Sequence, residues 1–417
     1  MRRNLRQFHL LSLIALGLSG PLLAQLKTPG LALRVLAKPQ ITGPCLASLL
    51  SPPSARQNCI QWNANVDAAP SVEHARRLVF VGAGDQYLHV LDADTGLPFL
   101  EIKTEGRVIT ETLFSADGSH FYFGTDKGAV FGYDAFNFKE IFSFQADGSI
   151  NNDLLLDNNA IVFSTGLATV YRIDTLGKEL WRLERPLSSN RLTLASNSNI
   201  VVLKDRVSGK VGNYLAIGHP EGYISIIHAT LGAEDLRTIR LDGGGRPASF
   251  PDIIAPMIYL NNLLWVASFD RGIFVVDQEN GHIRNRIEVT EVSQLALDHE
   301  AIYGATSNEL FALSSMGEFL WRTDFSGIKT KEARYGFPFS RLRQGAKRVF
   351  MGVPSKLLIR NNKILMATSQ GAMGEFSTKG ALLRVVGNSL GFGPKIGVWE
   401  GQGVAASTRR GLLALFR

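Results

Sequence analysis

The chain has 417 residues, 45% of them hydrophobic and 19% charged, with a formal charge of +7. That apolar content excludes a disordered chain, and two cysteines exclude a scaffold built on disulfides. No dense Lys/Arg stripe with interleaved aromatics runs through it, so nucleic acid is not an expected partner.

Residues 1–24 read as a secretory signal peptide. Arg2, Arg3 and Arg6 form a basic start, "FHLLSLIALGLSG" is an apolar run too short to span a bilayer comfortably, and "PLLAQ" offers cleavage after Ala24. Removing the three arginines takes the formal charge from +7 to +4. No lipidation-type cysteine follows the apolar run, and no later stretch is long and apolar enough to cross a membrane. Residues 25–58 read as an N-terminal extension or linker. Cys45 and Cys59 are the only two cysteines. In an exported protein they are expected to pair, closing a short loop for about 3 kcal/mol at most.

From residue 59 to 417 one phrase recurs. A small residue ends an alternating strand at Gly82, Gly124, Ser164, Gly218, Ala267, Gly304, Ala367 and Ser407. Ten residues later stands a turn position: Asp92, Asp134, Asp174, His228, Asp277, Ser314, Ser377 and Arg417. Period-two alternation on both sides of a Gly-containing turn specifies a β-hairpin. Asp and Gly suit the second turn, Asp because it bonds nearby backbone N–H groups and Gly because it takes positive φ. A further strand opens on a bulky residue seven positions past the turn, as at Phe99, Ile141, Trp181 and Trp321, and an upstream strand such as "APMIYLNN" completes four. The expected architecture is all-β: an eight-bladed β-propeller with four-stranded antiparallel blades. The eighth copy stops at Arg417 one strand short. "CIQWNANV" (Cys59–Val66), with Trp62 placed like Trp181 and Trp321, is expected to supply that strand and close the ring.

The segments "VGAGDQYLHVLDADTG", "STGLATVYRIDTLGKELW" and "GATSNELFALSSMGEFLW" resemble the PQQ-type repeat of quinoprotein-like propellers. With eight copies, a secretion signal and N-terminal closure, the chain resembles the BamB family, the propeller subunit of outer-membrane protein assembly. The resemblance implies a non-enzymatic scaffold in the periplasm, peripheral to the outer membrane and associated with it only through partners. It implies an envelope partner such as a BamA-like POTRA protein. The family's contact loops correspond to "RPLSSNRLTLAS", where Arg191 matches the family's arginine, and to "GGGRPASFPDIIAP", where Arg246 and Asp252 resemble the basic and acidic members. Ser188 and Asn190 stand where the family carries leucines.

Chemistry is sparse elsewhere. The alternative reading is a propeller that binds a small ligand or a quinone in its channel, as an enzyme or sensor. The adjacent cysteines and calcium site that quinoprotein dehydrogenases carry are missing from this sequence, so no cofactor is expected. The regular placement of Asp92, Asp134, Asp174 and Asp277 speaks for turns rather than a carboxylate metal ring, and the eight histidines show no zinc spacing. No metal and no catalytic residue is expected. One insertion stands out, Ser326–Phe350. It holds seven Lys/Arg against Glu332, with Tyr335, Phe337 and Phe339 close together. It reads either as a solvated loop or as a docking surface, with Tyr335, Phe337 and Arg341 as anchors.

Overall fold

In the computed structural model the described residues are 33–34, 58–61, 68–93, 98–184, 199–203, 206–207, 210–241, 250–299, 301–325, 329–330, 348–349, 352–370, 372–387, 392–399, 403–408 and 412–416. All regular structure among them is β. Seven four-stranded antiparallel blades follow one another along the chain, each running from an inner strand outward. Blade 1, for example, comprises Ser71–Glu73, Leu78–Gly82, Tyr87–Asp92 and Pro98–Lys103. Its outer edge also takes Leu33–Arg34, with Leu33 opposite Ile102. Blade 7 comprises Leu358–Arg360, Lys363–Ala367, Ala372–Ser377 and Leu382–Gly387.

A further four-stranded sheet joins the two ends of the chain. Phe392–Trp399, Gly403–Thr408 and Leu412–Phe416 run inside to outside, and Asn58–Gln61 pairs on the outer edge, Cys59 opposite Ala414. Its inner strand touches blade 7 on one side and Ser71–Glu73 of blade 1 on the other. The strand expected from "CIQWNANV" therefore pairs where it was placed; Trp62 lies outside the described residues.

The apolar clusters belong to boundaries between blades. Phe80, Leu88 and Val90 of blade 1 pack with Phe121, Phe123 and Phe131 of blade 2. Equivalent clusters fill each boundary through blade 7, and Ile396 of the terminal sheet packs with Ala367 and Met373 of blade 7. Blade strands buried on both faces lose the alternating pattern in favour of continuous apolar runs, as in "LVFVG" and "LLWVAS".

Two of these boundaries are also pinned at the rim by an indole. Trp181 of blade 3 donates its indole N–H to Ala229 O at 2.7 Å, and Trp321 of blade 6 donates to Thr378 O at 2.8 Å. Each indole lies under a turn glycine of the next blade, Gly232 (φ +61) and Gly380 (φ +85). A Cβ there would meet the ring at 2.9 Å and 2.7 Å. Glycine is needed twice over: for the left-handed backbone and for the close approach. The tryptophans thus pack between blades.

The turn residues act on backbone. Asp134 Oδ1 accepts from the N–H groups of Phe136 and Asn137, Asp174 Oδ1 from Leu176 and Lys178, and Asp277 Oδ1 from Glu279 and Asn280. His228 and Ser314 fill the same role with Nδ1 and Oγ. The turn reading holds for Asp134, Asp174 and Asp277. Past each turn the outer strand opens with a β-bulge, and the extra residue is Phe99, Ile141, Leu180, Leu320 or Leu383 in blades 1, 2, 3, 6 and 7.

Candidate functional site

Antiparallel order inside each blade sorts its loops onto two faces. The turn between the second and third strands lies on one face, together with the connector from the outer strand to the next blade. This is the connector face. The remaining turns lie on the opposite one, the turn face. Single bridges tie connectors to the neighbouring turns, Val108 to Thr125, Ile150 to Thr165, Ile253 to Ser268 and Pro354 to Thr368.

All three long segments singled out in the sequence are connectors and leave the same face. "RPLSSNRLTLAS" joins blades 3 and 4, "GGGRPASFPD" joins blades 4 and 5, and the basic insertion joins blades 6 and 7. Arg191, Arg246, Tyr335, Phe337 and Arg341 lie outside the described residues, as does Cys45; Cys59 is described only as part of its strand. What is described is how the connectors are rooted. Leu241 N–H donates to Gly222 O at 3.0 Å and Phe250 N–H to Asp270 Oδ2 at 2.8 Å, so both ends of the second loop are fixed to turns of blades 4 and 5. Just past the first loop, Asn199 Oδ1 accepts from Met257 N–H at 2.8 Å, tying the start of blade 4 to blade 5. The stem of the insertion is a short ribbon, Lys329–Thr330 paired with Arg348–Val349.

Asp252 requires a correction. It was expected as an exposed acidic contact, and its side chain is fully buried. The cause is the stapling of the connector's end onto blade 5. Phe269 N–H donates to Asp252 O at 2.8 Å, Ser268 Oγ donates to Pro251 O at 3.0 Å, and Ile253 bridges to Ser268. The carboxylate is drawn beneath the face and cannot meet a partner base.

An acidic cleft on the connector face was not foreseen. About 540 Å³ in volume, it lies at the boundary of blades 5 and 6 and is lined by Glu288, Glu291, Asn308, Glu309, Arg322 and Asp324. Arg322 grips Glu309 with two nitrogens, at 2.7 Å and 3.1 Å. The residues come from a connector, a turn and the end of an outer strand, so no contiguous motif announces them. Asp324 stands at the foot of the basic insertion.

The channel holds a cross-ring ion pair. Lys356, entering blade 7, approaches Glu111, entering blade 2, at 3.4 Å, and Glu111 N–H donates to Asp153 Oδ1 of the next connector at 3.0 Å. Burial pushes the Lys356 ammonium down, but the carboxylates of Glu111 and Asp153 outweigh it and hold its pKa above the ordinary lysine value. Among the described residues no group of three or more His, Cys, Asp or Glu side chains is arranged to hold a metal ion.

A buried charge cluster sits in blade 1. His89 is enclosed, with Nε2 3.0 Å from Asp85 Oδ2 and Nδ1 2.9 Å from Glu101 Oε1. Burial alone would lower its pKa; the two carboxylate hydrogen bonds reverse this and raise it to about 9. Both ring nitrogens then donate. The neighbours Leu88 and Val90 face blade 2, so His89 faces the opposite side, toward the sheet that joins the chain ends.

Bladed four-stranded sheets around a common channel, with PQQ-type turn spacing and indole-pinned boundaries, define a β-propeller. The family described as outer membrane protein assembly factor BamB matches residues 103–323, more than half of the chain, and the chain belongs to that family. Its fold is similar to BamB from Moraxella catarrhalis, with a TM-score of 0.66, 14% identity, and 87% of this chain and 99% of that chain covered. It is also similar to Sqt1 from Saccharomyces cerevisiae, with a TM-score of 0.64 and 14% identity over 85% of this chain and 96% of that one. The computationally designed protein Ika8 reaches 0.61 with 16% identity over 85% and 97%. No curated protein sequence matches. At such identities the structural likenesses speak for fold alone.

Proposed function

We propose that this protein is a non-enzymatic periplasmic scaffold that holds a partner in outer-membrane protein assembly through its connector face. Residues 1–24 direct export and are removed, residues 25–58 form an N-terminal extension that lays Leu33–Arg34 on blade 1 and enters the closing strand at Asn58, and residues 59–417 form the propeller. The sheet joining Asn58–Gln61 to Leu412–Phe416 serves as the eighth blade and closes the ring. One observation carries the reading: three long connectors, rooted on turns of the blades, leave one face of the ring. Binding residues concentrate on loops held by a rigid scaffold.

In this reading Arg191 and Arg246 pair with partner carboxylates, the acidic cleft beside Glu291 and Asp324 receives a basic partner segment, and Tyr335, Phe337 and Arg341 add an aromatic anchor. The partner expected is a POTRA-bearing protein of the BamA type. The test is interferometry with a purified POTRA protein at low and physiological salt. Arg191→Glu with Arg246→Glu should weaken binding by about a hundredfold with an unchanged melting temperature, because exposed charges contribute little to stability. Normal binding by that variant, with loss on deleting 331–347, would move the interface to the insertion. No binding by the wild-type chain would refute the assignment.

A further inference from the structure

Lys356 and Glu111, the pair that crosses the channel, occupy equivalent places in their blades. Each stands two residues ahead of the first rung between inner and second strands, Leu358 opposite Leu365 in blade 7 and Leu113 opposite Tyr122 in blade 2. Asp153 of blade 3 holds the same place ahead of Leu155, which lies opposite Val162. The repeat puts these residues where connectors enter the inner strands, at the mouth of the channel on the connector face. Blade 1 carries only Ala69 there, ahead of Ser71 opposite Phe80. No long side chain of blade 1 at that place stands between the lysine and Glu111.

Both ends of the pair are presented by the same backbone frame. Val108 bridges to Thr125 ahead of Glu111, and Pro354 bridges to Thr368 ahead of Lys356. Thr110 Oγ1 accepts from Gly124 N–H at 2.7 Å, and Ser355 Oγ accepts from Ala367 N–H at 2.9 Å. With the backbone already fixed, the meeting of the two side chains costs mainly their own rotamer freedom. Glu111 N–H donates to Asp153 Oδ1 at 3.0 Å, which extends the network to blade 3. Burial alone would lower the Lys356 pKa; the carboxylates of Glu111 and Asp153 reverse this and keep the ammonium charged.

We infer that Lys356 and Glu111 form a strut across the channel mouth that braces the ring over the seam where the chain ends meet. Blades 7 and 2 are not neighbours. Between them lie blade 1 and the sheet that joins the chain ends, whose inner strand touches blade 7 on one side and Ser71–Glu73 on the other. Opening that seam moves blade 7 away from blades 1 and 2, and the strut opposes this movement directly. Its contribution is modest, because Glu111 is partly open to water and Lys356 half open. It acts on local opening of the seam rather than on the global melt.

The test is native-state hydrogen exchange, read by mass spectrometry on the full chain. Lys356→Met should speed exchange of residues 71–73, 404–408 and 413–416 about three- to fivefold, and leave residues 214–218 and 264–268 of blades 4 and 5 unchanged. Glu111→Gln should do the same, and the double variant should exchange no faster than either single one. Lys356→Arg, which keeps the charge, should exchange like the wild type. No acceleration at the seam, equal acceleration in every blade, additive effects in the double variant, or a Lys356→Arg chain as fast as Lys356→Met would each overturn the inference.

Discussion

His89 offers a test of how the ring is held at its seam. The imidazole is buried between Asp85 and Glu101, on the face of blade 1 turned toward the sheet of the chain ends. Its pKa rises from 6.5 to about 9 on folding. A tenfold gain in proton affinity is worth about 1.4 kcal/mol, so the charged form contributes about 3 kcal/mol. The sign follows from the direction. A group whose pKa is raised in the folded state stabilises fully below its unfolded value, here pH 6.5. That stabilisation is lost as pH rises through 9. With an unfolding entropy of about 2.1 cal/mol/K per residue over roughly 350 residues, 3 kcal/mol corresponds to about 4 °C in melting temperature if the ring melts as one unit. The assay is scanning calorimetry at pH 6, 7.5, 9 and 10 on the wild type and on His89→Gln, which cannot titrate. The gap between them should be largest at pH 6 and shrink by about 4 °C by pH 10. A gap that stays constant across this range would show that His89 gains no proton on folding, and the dicarboxylate clamp would be wrong.

Three further outcomes are expected. Gly380→Ala should destabilise by roughly 1–3 kcal/mol in urea titration, because it needs a left-handed backbone and drives a methyl into Trp321; a neutral result would sink the account of the pinned boundary. Deleting residues 25–66 should remove the strand opposite Leu412–Leu415 and broaden or lower the melt, whereas deleting 25–57, which takes only the Leu33–Arg34 edge pairing and Cys45, should be much milder; equal melts would refute closure by the N-terminal strand. Mass spectrometry of the alkylated, unreduced protein recovered from the periplasm should find Cys45 linked to Cys59, and both recovered as alkylated thiols would reject the disulfide.

The blades were legible because their determinants are local. Gly82, Gly124, Ser164, Gly218 and Ala367 end the second strand of their blades, and Asp92, Asp134, Asp174, His228, Asp277 and Ser377 end the third. Those positions depend on turn chemistry and period-two burial, which a single sequence displays. Trp181 and Trp321 were legible for the same reason, since their offset from the turn is fixed. The candidate site was legible only as far as loop length and composition reach. Asp252 was misread because its burial depends on Ser268 and Phe269 of the next hairpin, sixteen and seventeen positions on. Lys356 and Glu111 are 245 positions apart, and only the closing of the ring brings them together. His89 and Asp85 are four apart, but Glu101 joins them through the register of the outer strand.

The same distinction explains how a chain 14% identical to another propeller keeps its fold. Each boundary needs an apolar strand surface, a turn residue that bonds backbone, and a side chain under the next turn. Several residue types satisfy each need. Asp134 and Asp277 become His228 or Ser314 without loss of the turn. Trp181 under Gly232 has a different counterpart in blade 4, where the Arg237 guanidinium reaches Glu279 O at 3.0 Å and lies against Gly281. Pattern is conserved while identity drifts, and the constraint falls almost wholly on blades and turns. The connectors are exempt, because the bridges at Val108, Ile150, Ile253 and Pro354 fix only where they rejoin the ring. A body so constrained, with its connectors fixed at their ends, lets partner contacts such as those proposed for Arg191 and the insertion change without cost to the fold.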